Sequence, residues 1–216
     1  MSLIKANGAG DQDTGFYNGA VTNSVRLNGS DTHFRRTLSE GGDRRQVTYS
    51  FWIKHGDDGN TNYNPIIFSK GNNVAYSDSI YFQIRTTGNK GDIYMRSTID
   101  DAQTALIVTN RKFRDPSAWY HFVLAFDTDQ STNTDRMKLY VNGVQETDLA
   151  TSSYPSQNYE NQANYSNVRV GAWDGNGYYN GYNGYIAELH SIDGQALDAS
   201  YFGAFSQTGI WIPKDY

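Results

Sequence analysis

The feature that most constrains this chain is a series of short segments in which apolar and polar residues alternate. Four follow one another in the second half: WYHFVLAFDT (119–128), RMKLYVNGVQE (136–146), NVRVGAW (167–173) and GYIAELHSIDGQAL (184–197). A period of two is typical of a β-strand with one face in a core. No segment shows sustained helical periodicity, and ALDASYFGAF (196–205) is the best candidate for one short helix. The pattern predicts an all-β chain.

The alternation also predicts which side chains face the core. Three predicted strands have clear inward faces. The 47–54 strand presents Val47, Tyr49, Phe51 and Ile53, and the 119–126 strand presents Tyr120, Phe122, Leu124 and Phe126. The 136–141 strand presents Met137, Leu139 and Val141. The 119–126 segment is apolar on its second face too, which predicts a central strand. Asn142-Gly143 closes the 136–141 strand and is a strong signal for a type I′ turn.

The remaining strands and loops complete an antiparallel β-sandwich. Further strands are predicted over SVRLN (24–28), PIIFSKG (65–71), IYFQIRT (80–86), GDIYMRST (91–98) and TALIVT (104–109). TGNKG (87–91) predicts a hairpin loop, and the Tyr-, Asn- and Gly-rich stretches 151–167 and 174–183 predict long loops. About a dozen short strands separated by turn signals are typical of a sandwich or barrel.

The chain is predicted to form one domain with an appendage. Residues 1–23 are rich in Gly, Asn and Asp and predict an extended N-terminal arm, either a strap onto a neighbour or a disordered terminus. Residues 24–216 suit a single β-sandwich domain, which includes a C-terminal closing segment over 201–216.

Several of these segments resemble a known family. SFWIK, IFSKG, WYHFVLAFD, KLYVNGV, VRVG and GYIAELHSIDGQAL occur in the order and spacing of laminin-G-like, concanavalin-A-like jelly rolls. Ile53 stands where that family has a valine, Asn142-Gly143 replaces Asp-Gly, and Ala187-Glu188 replaces Asp-Glu. The resemblance covers roughly residues 24–200 and implies an antiparallel jelly-roll sandwich. That fold carries lectins, glycanases and adhesion modules alike, so it does not by itself specify a function.

A narrower resemblance lies at the C-terminus. GYIAELHSIDGQALDASYFGAFSQTGIWIPKDY (184–216) is similar to the closing segment of jelly-roll domains in bacteriophage virion proteins. The resemblance implies a virion surface protein, which would be a capsid decoration or a fibre or tail component. Homo-oligomers are expected for such proteins, and trimers are the natural expectation.

Composition excludes several partners and cofactors. The net charge is −5 and the basic residues are scattered, which argues against a nucleic-acid or anionic-membrane surface. Cysteine is absent, which rules out disulfides and thiolate metal sites. Neither a secretory signal nor a membrane-spanning apolar run is visible. The missing signal and the missing cysteines fit assembly in a bacterial cytoplasm, as the virion resemblance implies.

The sequence carries little catalytic chemistry. Glycanases of this fold use an E-x-D-x-E strand, in which one carboxylate attacks the sugar and another protonates the leaving oxygen. The nearest match begins with Glu146 and Asp148, but Ala150 stands in the third place. Among the four histidines, His121 and His190 lie on predicted strands, where a structural histidine is expected. We therefore expect no enzymatic activity and no catalytic residues.

One loop offers oxygen ligands at every second position. Every second position from 127 to 135 carries an oxygen-bearing side chain, in the order Asp127, Asp129, Ser131, Asn133 and Asp135. Ca²⁺ binds six to eight such oxygens. The loop lacks the glycine and the bidentate glutamate of an EF-hand. A polar hairpin loop is the favoured interpretation. Calcium remains the alternative, and no other cofactor is expected.

The tyrosine-rich loops are the best candidates for contact with a glycan or a protein. Tyrosine gives rigid amphipathic surface, and asparagine and glycine give adaptable hydrogen bonding. The candidate residues are Trp173, Tyr178, Tyr179, Asn180, Tyr154 and Tyr159. Glu188 follows the acidic position of the closing strand, and we expect a structural role in which it bonds to backbone or to an arginine.

Three functions follow in order of preference. The first is a non-enzymatic virion surface protein that contacts other virion proteins and copies of itself. The second is a carbohydrate-binding module for host-surface glycans, and the third is a glycanase.

Overall fold

The structure is a computed structural model that describes residues 20–30, 32–37, 41–56, 64–71, 79–86, 88, 90–100, 102–160, 167–173 and 180–216. The described part of the chain is all-β, with 52% of its residues in strands and 4% in helix. Two short 3₁₀ segments, Asn133–Asp135 and Ala199–Tyr201, are the helical elements of the described residues. Within that part of the chain, every helix is too short and too polar to cross a membrane.

Two antiparallel sheets form the sandwich. The six-stranded sheet consists, in spatial order, of β1 (Val25–Asn28), β13 (Asn183–Asp193), β3 (Gln46–His55), β8 (Tyr120–Asp127), β9 (Met137–Val141) and β10 (Val144–Gln145). The seven-stranded sheet consists of β11 (Leu149–Ser153), β7 (Ala102–Thr109), β6 (Ile93–Ile99), β5 (Ser79–Ile84), β4 (Ile66–Gly71), β12 (Asn167–Val170) and β2 (Phe34–Thr37). A small hairpin of β14 (Gly203–Phe205) and β15 (Trp211–Pro213) follows. This arrangement confirms the predicted antiparallel sandwich.

The core lies between the two sheets and is built mainly from aromatic and β-branched residues. The three inward faces predicted from the alternation all contribute to it, with Tyr120 at its edge. Phe51 meets Phe82 of the opposite sheet edge to face, with ring centroids 5.0 Å apart. Edge-to-face pairs add roughly 0.5–1.5 kcal/mol beyond the apolar area that they bury.

β8 is an interior strand of the six-stranded sheet, as predicted from its two apolar faces. It pairs with β3 on one side and β9 on the other. Val123, on the second face, is fully buried against Leu197 and Phe202 of the C-terminal segment. Both faces are apolar because the core covers one and the closing part of the chain covers the other.

The Asn142-Gly143 turn has the predicted geometry. Both residues have positive φ, 48° and 84°, as a type I′ turn requires. A Cβ on Gly143 would also lie 2.4 Å from the Trp211 ring. Glycine is therefore required here by the backbone conformation and by the packing of the C-terminal segment.

Several sequence predictions need correction. The 151–167 stretch is not all loop, because residues 151–153 belong to β11 and pair with β7. Residues 196–205 form only a 3₁₀ turn followed by β14. β2 was not predicted, since FRRT (34–37) has a single apolar residue.

Of the predicted arm, residues 1–19 lie outside the described residues, and Val21 is buried beside Trp52 and Ala187.

Candidate functional site

The motifs behind the family resemblance converge on the buried imidazole of His121. Its ring stacks on Trp52, with centroids 4.7 Å apart, and its backbone N–H donates to Asn142 Oδ1 at 2.7 Å. Trp211 donates its indole N–H to His121 Nδ1 at 3.0 Å. The motifs therefore form a structural junction that joins two strands, a turn and the C-terminal segment.

The hydrogen bonds of His121 assign its tautomer. Nδ1 accepts from Trp211, so the proton of the neutral ring lies on Nε2, which donates to Ser50 Oγ at 2.9 Å. A catalytic base needs the opposite arrangement, with an unprotonated nitrogen facing the hydroxyl. Burial, and to a smaller extent the charge of His190, lower the pKa of His121 to about 3. This serine–histidine pair is thus arranged as a structural contact, as expected for His121.

The C-terminal segment covers the outer face of the six-stranded sheet. The backbone N–H of Leu197 donates to Thr48 Oγ1 at 2.7 Å, and Ala199 and Phe202 pack in the same apolar cluster as Val123. The Tyr216 ring lies 4.8 Å from that of Phe202. These contacts give residues of the 184–216 motif a structural role in covering the sheet.

A cavity of about 540 Å³ opens between the two sheets on the side of β2 and β13. It exists because β1 pairs with β13 only as far as Ile186, which leaves the second half of β13 without a described neighbour on that side. The lining includes Phe34, Arg36, Lys70, Val170, Leu189 and Asp193. We call this cavity the edge cleft. Its volume is in the range of small-molecule sites in proteins.

A β-bulge in β13 shapes the edge cleft. The pairing with β3 shifts between Ala187 and His190, and Glu188 has a φ of 46°, a left-handed conformation that non-glycine residues seldom adopt. One extra residue reverses the alternation downstream. Leu189 and Asp193 therefore line the cleft, whereas His190 turns to the outer face and stacks on the C-terminal segment.

Cations dominate the charged residues of the edge cleft. Among its described lining residues, Arg35, Arg36 and Lys70 accompany one carboxylate, Asp193. Lys70 as a whole residue is 2% exposed, and burial lowers its pKa to about 8. The charge of Asp193 opposes that shift, and the charge of Arg36 adds to it.

The glycine pair at 41–42 positions the carboxylate of the cleft. Asp193 Oδ1 accepts the backbone N–H of Asp43 at 2.7 Å. A Cβ on Gly42 would lie 2.1 Å from Asp193 Oδ2, so only glycine allows this approach. The loop thereby fixes Asp193 at one wall of the cleft.

An apolar groove continues from the edge cleft toward β1. It has a volume of about 380 Å³ and shares Phe34, Val170 and Leu189 with the cleft, while Val25 and Ile186 belong to the groove alone. Phe34 and Val25 are 52% and 44% exposed, which is high for large apolar side chains. The two cavities form one surface, charged at one end and apolar at the other.

The four predicted contact residues that the structure describes lie in different surroundings. Trp173 is 4% exposed and its ring lies edge to face with Tyr81, so the expectation of an open stacking platform there is wrong. Asn180 is close by, since its carbonyl accepts the backbone N–H of Ile66. Tyr154 packs against the main core. Tyr159 accepts from Thr128 through its carbonyl, and Tyr178 and Tyr179 lie outside the described residues.

The three aspartates considered for calcium bond to different partners. Asp127 accepts from the Gln130 side chain at 2.7 Å, Asp129 pairs with Arg45 at 3.2 Å, and Asp135 pairs with Lys138 at 2.9 Å. Within the described ranges, no group of three or more carboxylates and histidines is placed to hold a metal ion. The local contacts agree with a polar hairpin loop.

The remaining carboxylates considered in the sequence also have local partners. Glu146 Oε1 accepts the backbone N–H of Asp148, and Asp148 Oδ1 accepts from Asn110 at 2.7 Å, both in the connection between β10 and β11. Glu188 pairs with His190 at 3.6 Å. The partner is thus a histidine on the same strand, whereas backbone or an arginine was expected.

The residues of the edge cleft were missed by sequence reasoning. They come from widely separated segments, and no local motif links β2, β4 and β13. One signal was available: Lys70 follows Phe68 at the spacing of an inward-facing residue, so a cation could have been placed between the sheets.

The fold is an antiparallel sandwich of the concanavalin-A-like type. The model of the laminin-G-like family, described as the concanavalin A-like lectin/glucanases superfamily, matches residues 18–200, and the chain belongs to that family. No curated protein matches the sequence significantly.

Solved structures share the fold at low sequence identity. A heptameric pentraxin from Limulus polyphemus has a TM-score of 0.54 and 18% identity, covering 81% of this chain and 76% of its own. The CBM40 domain of a Ruminococcus gnavus sialidase has a TM-score of 0.55 and 14% identity, covering 83% and 94%. The enzymatically active domain of tailspike protein 2 from bacteriophage CBA120 has a TM-score of 0.53 and 11% identity. That match covers 79% of this chain and only 25% of the tailspike.

Proposed function

We propose that this protein is a non-enzymatic recognition module on the surface of a bacteriophage particle, where it binds host-surface glycans in the edge cleft. The observation that carries the proposal is the combination of the half-exposed Phe34 ring with Arg36 in a cavity of ligand size. Sugars present apolar C–H faces that stack on aromatic rings and hydroxyls that accept hydrogen bonds from guanidinium groups. Such mixed lining is typical of small-molecule sites.

Two further observations support parts of this proposal. Residues 184–216 resemble closing segments of phage virion proteins, which favours a place on a particle. The absence of catalysis is favoured by the tautomer of His121 and by the local partners of Glu146 and Asp148. Since the family includes glucanases, hydrolysis has to be measured directly.

Glycan binding is tested with an array of bacterial surface oligosaccharides, followed by calorimetry on the hits, each with and without Ca²⁺. We expect at least one ligand whose affinity falls tenfold or more in Phe34→Ala. The matched control is Tyr201→Ala, which removes an aromatic ring of similar exposure, 49% against 52%, outside the cleft. Failure of all glycans to bind would exclude this function.

Catalysis is tested with the same ligands and a polysaccharide panel. No reducing ends should appear on prolonged incubation. If they do appear and vanish in Glu146→Gln, the protein is a glycanase and the non-enzymatic proposal is wrong.

A second candidate function is contact between copies of this chain in a virion. The apolar groove favours it, because exposed large apolar side chains such as Val25 often mark protein interfaces. Light scattering should give an oligomer, with a trimer expected. Val25→Asp should reduce the stability of that oligomer, whereas Val144→Asp, at a more exposed site (60% against 44%) outside the groove, should not. A monomer at all concentrations, together with absence of the chain from purified particles by mass spectrometry, would contradict this candidate.

A further inference from the structure

We propose that the edge cleft selects glycans that carry an anionic group, a carboxylate or a sulfate, and that Arg36 and Lys70 bind this group while Phe34 packs against the sugar ring. This inference rests on the proposed glycan-binding function and names the ligand class of the same site.

The first argument is the register of the strands around the cleft. Arg36 pairs with Val168, and Val168 in turn pairs with Lys70. Directly opposed residues on neighbouring strands project to the same face of a sheet. Val168 packs against the core, so both cations project between the sheets from adjacent strands of one wall.

The second argument is the balance of charge. Among the lining residues that the structure describes, three cations accompany one carboxylate, Asp193, which accepts the Asp43 backbone N–H. A ligand anion that enters the cleft meets the surplus of positive charge in a partly dehydrated space, where electrostatic attraction is stronger than at an open surface. Arginine adds geometric selection, because its planar fork matches an anion with two acceptor oxygens.

The third argument is the apolar wall beside the cations. On the edge strand β2, Phe34 pairs with Val170 and Arg36 pairs with Val168. The two β2 residues are two positions apart, so their side chains project to the same face of the sheet. The Cα atoms of such residues lie roughly six to seven ångströms apart, a separation that suits a single sugar ring with its acidic substituent. A simple inorganic anion would leave the apolar wall unused.

The state of Lys70 gives the inference a signature of its own. The described charged groups that act on Lys70 are Asp193 on β13 and Arg36 on β2, and Arg35 of β2 lines the same cleft. The buried Tyr49 phenol on β3 interacts electrostatically with Asp193. With a pKa of about 8, Lys70 is roughly half protonated at pH 8. A bound anion raises that pKa, so binding at pH 8 takes up as much as about half a proton for each ligand.

The experiment compares matched ligands by calorimetry at pH 8 in two buffers of different ionisation enthalpy. The probes are tri-galacturonic acid, its methyl ester, which keeps the shape without the charge, and a sulfated galactose disaccharide with its unsulfated parent. We expect an acidic probe to bind at least tenfold more tightly than its neutral partner, with proton uptake only for the acid.

Variants locate the effect. Lys70→Met should abolish proton uptake on binding and lower the affinity for the acidic probe at least tenfold. Arg36→Gln should lower that affinity by a similar factor but leave some proton uptake. Arg111→Gln removes one exposed cation outside the cleft and should change neither the affinity nor the proton uptake. Circular dichroism verifies that each variant is folded, and the exposed Arg36 site provides a test even if Lys70→Met does not fold.

The outcomes separate this inference from the proposed function. Equal affinity for acidic and neutral probes, or acid binding that neither variant weakens, overturns the inference and leaves glycan binding standing. If no oligosaccharide of either kind binds, on the array or in solution, the proposed function fails as well.

Discussion

The depressed pKa of His121 predicts a steep loss of stability in acid. The ring is fully buried and neutral in the folded protein, where its pKa is about 3, whereas a histidine in the unfolded chain has a pKa near 6.5. Between these values the unfolded chain binds a proton that the folded protein does not, so the free energy of unfolding falls as the pH decreases. The contribution is complete above pH 6.5 and is lost progressively down to about pH 3.

The size of the effect follows from linkage. Each pH unit well inside this window costs about 1.4 kcal/mol, and about 2 kcal/mol is lost between pH 6.5 and 4.5 because protonation of the unfolded chain is only half complete at pH 6.5. A loss of this size is a large fraction of the stability of a typical domain, about 5–15 kcal/mol. Acid should therefore unfold the protein well before the pH reaches the pKa of the buried ring.

The assay is urea unfolding followed by circular dichroism from pH 7.5 to 4.5. His121→Gln keeps a donor toward Ser50 and removes the titrating group, so its free energy of unfolding should fall about 1.4 kcal/mol less steeply with each pH unit. His190, whose pKa burial also lowers, is present in both proteins and cancels from the difference. Parallel pH profiles for the wild type and His121→Gln would refute the reasoning.

Three further substitutions test the contacts that hold the fold, each by urea unfolding at pH 7.5. Trp211→Phe keeps a ring but leaves the buried Nδ1 of His121 without its donor, and it should cost about 1–3 kcal/mol; no loss would mean that this bond is not formed. Gly143→Ala should cost about 1–3 kcal/mol, because the residue has a φ of 84° and its Cβ would overlap the indole of Trp211, and an unchanged midpoint would contradict that packing. Asp92→Asn replaces a fully buried carboxylate that pairs with Arg85 at 2.6 Å and should cost about 3 kcal/mol, while a neutral effect would show that the pair contributes no net stability.

Local patterns predicted much of the sandwich, because strand identity and inward faces depend on neighbouring residues. Every second residue from Val47 to Ile53 and from Met137 to Val141 faces the core, as the alternation requires. Asn142-Gly143 forms the expected turn. The same locality explains the misses. Residues 34–37 form a strand only because they pair with β12, more than a hundred residues away in the chain.

The candidate site could not be derived from the sequence, for two physical reasons. The bulge at Glu188 depends on how β13 pairs with β3, and a regular alternation would have placed Leu189 and Asp193 on the wrong face. Trp173 has the chemistry of a ligand platform but is buried beside Tyr81, since composition does not report what covers a side chain.

The contact between Trp211 and His121 also constrains how the protein folds during synthesis. The two residues are 90 positions apart, and the indole completes the covering of the second face of β8. Until the ribosome has released the chain beyond residue 211, the imidazole lacks this partner and Val123 lacks its apolar cover. The emerging chain therefore presents an apolar strand surface for several seconds at ordinary rates of translation, and chaperones that bind such surfaces should recognise it in that interval.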